Sequence, residues 1–268
     1  MASEHTNGGF TLSPPQSLAS TTSHATSTLP HPRGTPLRAG GSKESAFIRY
    51  VDQRILHIQR RFAKRTSPSA PTLADTDREK ADDWGDVAGY SSMREACREI
   101  ENLVDVVWVS GTPSLQVPYL INLALLLSTV IPAMPPTPRS LFRVLAKLDY
   151  CFASLIQGRD VETGESLPGF AGHKGVSGTE KVRVRSLVER TRVEVVESFK
   201  KGEFEYEDPG TEHGEGELML EGGDVDEMGD DGEDSNDMQI ARVYDRTIQE
   251  LGDSLEAPGI GIITEKRG

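Results

Sequence analysis

Cysteine is scarce in this chain of 268 residues: there are two, Cys97 and Cys151. Both fall inside apolar helical patterns, where a thiol packs as a small hydrophobe, and two are too few for a disulfide framework. No Asn-x-Ser/Thr acceptor occurs. The N-terminus lacks the charged start and apolar run of a secretory signal. These absences leave nucleus or cytoplasm. Of these the nucleus is favoured; Lys and Arg are too scattered for a clear import signal, with Arg60-Arg61-Phe62-Ala63-Lys64-Arg65 the one candidate string.

Phosphate-binding loops are missing too. A Walker-type loop needs Gly-x-x-x-x-Gly-Lys-Ser/Thr, so that backbone N–H groups and a lysine surround the phosphates. Gly40-Gly41-Ser42-Lys43 and Gly172-His173-Lys174-Gly175 lack that order, and neither follows a strand pattern. Metal-ligand spacing is absent as well. Of His5, His24, His31, His57, His173 and His213, only His57 lies on a helical pattern, with no second His or Cys three or four places away. Neither a metal nor a cofactor is expected. A nucleophile elbow needs Gly-x-Ser-x-Gly after a strand. Gly175-Val176-Ser177-Gly178-Thr179 fails at its last place, and Ser177 reads as a helix cap.

Positive charge is missing from one stretch. From Glu203 to Asp237 there are 16 acidic residues and no Lys or Arg, while the whole chain carries -13, so the remainder is slightly basic. The segment 203–236 reads as disordered, because self-repulsion adds to its lack of burial. Residues 1–42, rich in Ser, Thr, Pro, Gly and His, read as a disordered tail for want of large apolar side chains. Residues 66–86 form a Ser/Pro/Asp-rich connector, and 257–268 a flexible tail.

What is present is helical periodicity. The expected fold is all-α: an irregular bundle of four to six helices over 43–202, with a further amphipathic helix at 237–256. Ile48, Val51, Ile55, Ile58 and Phe62 alternate by three and four, the seam a helix offers a partner helix. A second helix opens at Ser92-Met93-Arg94-Glu95, a capping-box spacing, and stops at Gly111-Thr112-Pro113. A third covers 114–131, with Pro118 in its first turn. Thr137-Pro138 starts a fourth, which Gly158 ends. Ser177-Gly178-Thr179-Glu180 starts a fifth. Ile240, Tyr244, Ile248, Leu251 and Leu255 make one stripe of a sixth over 237–255. Short connections favour antiparallel neighbours.

Three rival readings arise from what remains. Leu123-Ala124-Leu125-Leu126-Leu127 lies in an apolar stretch, 115–131, and raises a membrane-associated protein. Its Gln116, Pro118, Asn122, Ser128 and Thr129 fit a buried soluble helix better. Arg159, Asp160 and Glu162 crowd one Gly-punctuated loop, with Phe170 as a nearby apolar anchor. That loop is read as a solvated turn, a partner-docking loop, or an acid–base site of a helical enzyme. Arg49, Arg54, Arg60, Arg61, Lys64 and Arg65, with Lys181, Arg183, Arg185, Arg190 and Arg192, raise nucleic-acid contact. The acids among them favour mixed, solvated faces. Ser13-Pro14, Thr35-Pro36 and Ser67-Pro68 are proline-directed dipeptides in segments read as tail and connector.

The strings Val107–Tyr119, Leu155–Phe170 and Glu180–Arg192 resemble a group of fungal proteins that carry a meiotic-recombination label in gene models. The resemblance covers roughly 40–200. It implies an accessory role and not a RecA-type recombinase, which would need a Walker loop on a parallel sheet.

The function that follows is a non-catalytic helical adaptor or complex subunit, not an enzyme. It would bind protein partners, including a basic one for the acidic segment, and the resemblance makes it accessory to meiotic recombination or DNA repair. The candidate partner-binding residues are Ile48, Val51, Ile55, Ile58 and Phe62 on the first helix, with Arg159, Asp160, Glu162 and Phe170 around the loop.

Overall fold

The structure, a computed structural model, describes residues 29–66, 87–170, 175–205 and 231–255. Seven α-helices lie among them: α1 (Ser42–Thr66), α2 (Met93–Val109), α3 (Pro113–Val130), α4 (Pro138–Gln157), α5 (Gly178–Lys200), α6 (Asp231–Ala241) and α7 (Asp245–Leu255). A 3-10 turn, Ile131–Ala133, follows α3. No strand occurs among the described residues, only the isolated bridge between Arg159 and Ser166. The fold is the all-α bundle expected from periodicity.

Helix α2 is central, packing on α1, α3 and α4. Its inner positions Met93, Cys97, Ile100, Val104, Val107 and Trp108 are all buried. Helices α2 and α4 run parallel, because residues 101, 105 and 108 of one meet 143–147, 147 and 150 of the other. The crossover between them is α3, packed on α2, α4 and α5. Parallel packing brings two helix N-termini together. Glu205 sits there, accepting the Met93 N–H at 3.3 Å and the Thr137 hydroxyl at 3.5 Å. An anion is favourable at that end of a helix dipole.

The start and stop signals divide into those that act as written and those that do not. Ser177 and Glu180 form a full capping box. Gly158 ends α4 with φ 72°, the left-handed turn that glycine adopts freely. Ser92 accepts the Glu95 N–H, but the Glu95 carboxylate turns to Ser91 and Arg61 instead of closing the box. Thr137 occupies the N-cap of α4 without a capping bond, since its hydroxyl serves Glu205.

Helix α3 with its 3-10 turn is long and apolar enough to cross a membrane, yet 61% of that window is buried in the bundle. Leu120, Leu123, Leu127 and Val130 are fully enclosed by neighbouring helices. It is a core helix on the packing it makes here.

Three boundaries need correction. The tail expected over 1–42 gives way at residue 29: Leu29 packs on the core and Leu37 is buried. The Arg33 N–H donates to Val109 O at 3.1 Å and the Leu37 N–H to Thr112 Oγ1 at 2.8 Å. The last expected helix is two, broken where Tyr244 takes φ 60°. That break turns Tyr244 and Leu251 into the core and leaves Ile248 outside, so the stripe of five is not one face. The acidic stretch is helical in backbone from Asp231, and its start at Phe204 and Glu205 is packed and hydrogen-bonded. The expectations for 1–28, for the connector 67–86, for 206–230 and for the tail 257–268 lie outside the described residues.

Candidate interaction surfaces

The seam of α1 is closed within the chain. Val51, Ile55 and Ile58 are buried against the bundle, and Ile48 and Phe62 are half-buried at its two ends. Apolar burial of this kind contributes about 1.5–3 kcal/mol per enclosed side chain. A partner could therefore take these three residues only by displacing α1. Polar ties lock the same seam. Arg61 donates to Glu99 at 2.5 Å, to Glu95 at 2.7 Å and to Ala88 O at 3.1 Å. Its guanidinium lies 4.2 Å from the centroid of the Tyr90 ring. The Tyr90 hydroxyl donates to Glu99 at 2.9 Å, and burial together with that carboxylate pushes the phenol well up. At the middle of α1, the Tyr119 hydroxyl donates to Asp52 at 2.8 Å.

The charged loop is ordered by its own aspartate. Asp160 Oδ1 accepts the N–H groups of Glu162 and Thr163 at 2.9 and 2.8 Å, an Asx turn. The other oxygen accepts the Tyr150 hydroxyl from α4. Burial acts to raise the Asp160 carboxyl, but the Thr163 N–H, the Tyr150 hydroxyl and the Glu162 N–H outweigh it and hold it below the usual range. Glu162 faces Arg246 of α7 at 3.6 Å. Arg159 stays exposed, paired by backbone to Ser166. Phe170 is half-buried over Gly158, where an added Cβ would lie 3.1 Å from its ring. The loop is a rigid charged turn on the end of α4. Asp160 does structural work in it; Arg159 and Glu162 are what it presents outward.

Several residues of the basic helices pair within the chain. On α5, Arg185 meets Glu189 at 3.0 Å and Arg190 meets Glu194 at 2.6 Å. Arg192 bonds Val243 O at 3.0 Å, Ala241 O at 3.3 Å and Asp245 at 3.2 Å, tying the α6–α7 junction to α5. The mixed-face reading describes α5 better than a phosphate-binding stripe. His57 lies 4.0 Å from Glu99, and burial first, with Arg54, Arg61 and Arg60 around it, lowers its pKa. Both cysteines are buried; enclosure pushes the Cys151 thiol well up and disfavours a nucleophilic thiolate. Among the described residues no three His, Cys, Asp or Glu are grouped to hold a metal.

Two recesses among those on the described residues are notable. One of about 530 Å³ lies between the segment 29–41, α1 and α2, with an apolar lining that includes Leu37, Phe47, Val106 and Val109, and with Arg33 and Lys43 on its wall. A smaller one of about 240 Å³ is lined by Arg65, Ser92, Met93, Phe204 and Glu205 among others. Neither borders the Arg159–Glu165 loop.

Two polar arrangements escape sequence reasoning. Lys147, almost fully enclosed on α4, reaches Glu101 at 3.0 Å and Asp105 at 2.8 Å on α2, and Arg143 adds a bond to Glu101 at 2.9 Å. Asp149, two residues on, accepts the Thr247 N–H and hydroxyl at the start of α7. The signal was there in principle: Lys147 and Asp149 stand among the apolar residues of α4. The partners could not be named, since nothing local links position 149 to 247.

The fold and its surfaces define an all-helical protein whose charged residues cross-link helices and whose free surface is made of rigid turns, mixed faces and a shallow apolar recess. Residues 89–252 match the TFB6 family, subunit 11 of the general transcription factor TFIIH. The match covers more than half of the chain, and the chain belongs to that family. It is thus a nuclear protein and a subunit of a complex, as the sequence favoured. No curated protein matches it, and no solved structure does.

Proposed function

We propose that the chain is a non-catalytic helical subunit that joins a TFIIH-type assembly through protein contacts. The observation that carries this is the extent of the family match, residues 89–252, which takes in α2 through most of α7. What the family shares is thus the interlocked bundle. The residues best suited to chemistry support the same reading, because each is engaged in holding the fold. Asp160 orders a turn, Asp149 caps α7, Lys147 bridges two acids and Ser177 caps α5.

The loop presenting Arg159 and Glu162 is the contact point of choice, being rigid, charged and outward. The acidic segment, with 16 acids and no Lys or Arg between Glu203 and Asp237, fits a basic protein surface. Tagged full-length protein purified from nuclear extract should bring down identified TFIIH subunits in near-stoichiometric amount. Recovery of the chain alone rejects the proposal. Charge reversal at the exposed position of the loop, Arg159→Glu, should reduce that recovery while leaving the thermal melt unchanged. An accessory role in meiotic recombination or repair is a narrower reading, carried by the resemblance of the three strings named above. Normal recombination frequency after deletion of the gene removes it.

A further inference from the structure

Five Ser/Thr-Pro dipeptides occur in the chain: Ser13-Pro14, Thr35-Pro36, Ser67-Pro68, Thr112-Pro113 and Thr137-Pro138. Only Thr35 has a base three places on, Arg38; the others have Gln16, Ala70, Leu115 and Ser140 there. Thr112 and Thr137 are closed off, at 4% and 1% exposure. Ser13 and Ser67 lie outside the described residues. Thr35 is exposed, as are Arg33, Gly34 and Pro36 around it, in irregular backbone outside any helix.

We propose that Thr35 is a phosphorylation site for a proline-directed Ser/Thr kinase of the class that reads proline at the next position and a base at the third. Proline has no N–H and a fixed φ, so it suits a pocket that asks for neither a donor nor a side-chain charge. Arg38 supplies a permanent cation for an acidic subsite. In the step, the γ-phosphoryl group of ATP leaves its bridging oxygen and bonds to Thr35 Oγ1. The hydroxyl proton passes to the kinase's catalytic carboxylate, and ADP departs. The product carries about -1.5 to -2 more charge at neutral pH, beside Arg33 and Arg38.

The docked segment guards this site. A kinase takes its substrate extended, and here Leu37 is buried while its N–H is held by Thr112 Oγ1 at 2.8 Å. Arg33 is held to Val109 O on the other side. Two hydrogen bonds, the buried Leu37 and the partly buried Leu29 are a small anchorage, of the kind that opens locally without global unfolding. The same opening uncovers the apolar floor of the larger recess, which Leu37 helps to line. Modification is therefore coupled to the state of that recess.

The test incubates full-length protein with a cyclin-dependent kinase of this specificity and ATP, and maps phosphate over time by fragmentation mass spectrometry. Thr35 should be the dominant site. Arg38→Ala should slow it about tenfold, and Leu37→Ala should speed it about fivefold by favouring the lifted segment. Thr112→Val, which removes the acceptor of the Leu37 N–H, should also speed it. Circular dichroism melts confirm that each variant keeps the bundle. Phosphate on Ser13 or Ser67 with Thr35 unmodified overturns the assignment. Unchanged rates in both Leu37→Ala and Thr112→Val overturn the guarding role.

Discussion

Asp149 Oδ1 on α4 lies 2.8 Å from the Thr247 N–H and 2.7 Å from its hydroxyl, and so caps α7 from a helix 98 residues away in sequence. The Thr247 hydroxyl also lies 3.1 Å from Asp149 O, and the Arg246 N–H faces the second carboxylate oxygen at 3.4 Å. The cap fixes where α7 begins and, with the left-handed Tyr244 before it, the direction in which it leaves. Burial raises the Asp149 carboxyl, while these donors pull it down.

Loss of that cap should free α7. Asp149→Ala leaves the Thr247 N–H enclosed and unpaired, while the hydroxyl keeps the Asp149 carbonyl, a loss of about 2–3 kcal/mol from cap and desolvation together. Asp149→Asn keeps an acceptor and should cost about 1 kcal/mol. Urea unfolding measures the loss. Hydrogen exchange should show it concentrated in 243–252. Equal protection of that segment in wild type and Asp149→Ala rejects the capping role.

The Tyr150–Asp160 tie predicts an acid limit for the loop. The Asp160 carboxyl is held below its ordinary value in the folded chain. The unfolded chain then takes up its proton first as pH falls. Stability from this group is full above the ordinary carboxylate pKa and is lost as pH drops through the lower folded one. Carbon-detected NMR of Asp160 should show titration below the usual aspartate range. Tyr150→Phe removes one of the donors and should move that titration up. A midpoint at the ordinary value in the wild type contradicts the tie.

Much of this architecture was legible beforehand, and the parts that were not share a cause. The stripes of α1, α2 and α4 follow local periodicity, and so do the stops at Gly111 and Gly158. The α1 seam was read correctly as apolar, but whether a helix of the same chain or of another covers it is not a local property. The docking of Leu37 depends on Thr112, 75 residues on, and Glu205 reaches Met93 across 112. Asp160 was picked out for its charge, and its role lies in the N–H groups of the next residues. A single backbone reversal at Tyr244 divides a continuous stripe, which periodicity alone does not register.

The ladder of Lys147, Glu101 and Asp105 should be costly to break and cheap to replace. Lys147 is 6% exposed. Burial acts to lower its pKa, and the bonds to Asp105 and Glu101 raise it overall. Lys147→Ala leaves the enclosed Glu101 carboxylate beside the half-buried Asp105, with Arg143 to compensate in part, and should cost about 3 kcal/mol. The triple change Lys147→Met, Glu101→Gln, Asp105→Asn should lie within about 1.5 kcal/mol of wild type. Chemical denaturation of the two proteins decides it. A larger loss in the triple variant than in Lys147→Ala shows that the charges themselves stabilise the α2–α4 pair.

Arg61 offers a test of whether α1 is a separable layer. Helix α1 precedes the family-matched region, yet it closes over α2 through an apolar seam and the Arg61 guanidinium, with His57 4.0 Å from Glu99. Arg61 spans Glu95, Glu99 and Ala88 O while stacking on Tyr90. A lysine can satisfy one of those acids but cannot fork across two and lie flat on a ring. Arg61→Ala should cost about 2–3 kcal/mol, since Glu99 and Tyr90 lose their shared partner in a half-buried site. Arg61→Lys should recover less than half. The loss should fall first on α1, so its amides exchange faster while those of α2 and α4 keep their protection. If all helices lose protection together, α1 is an integral part of one cooperative unit and not a layer added to the bundle.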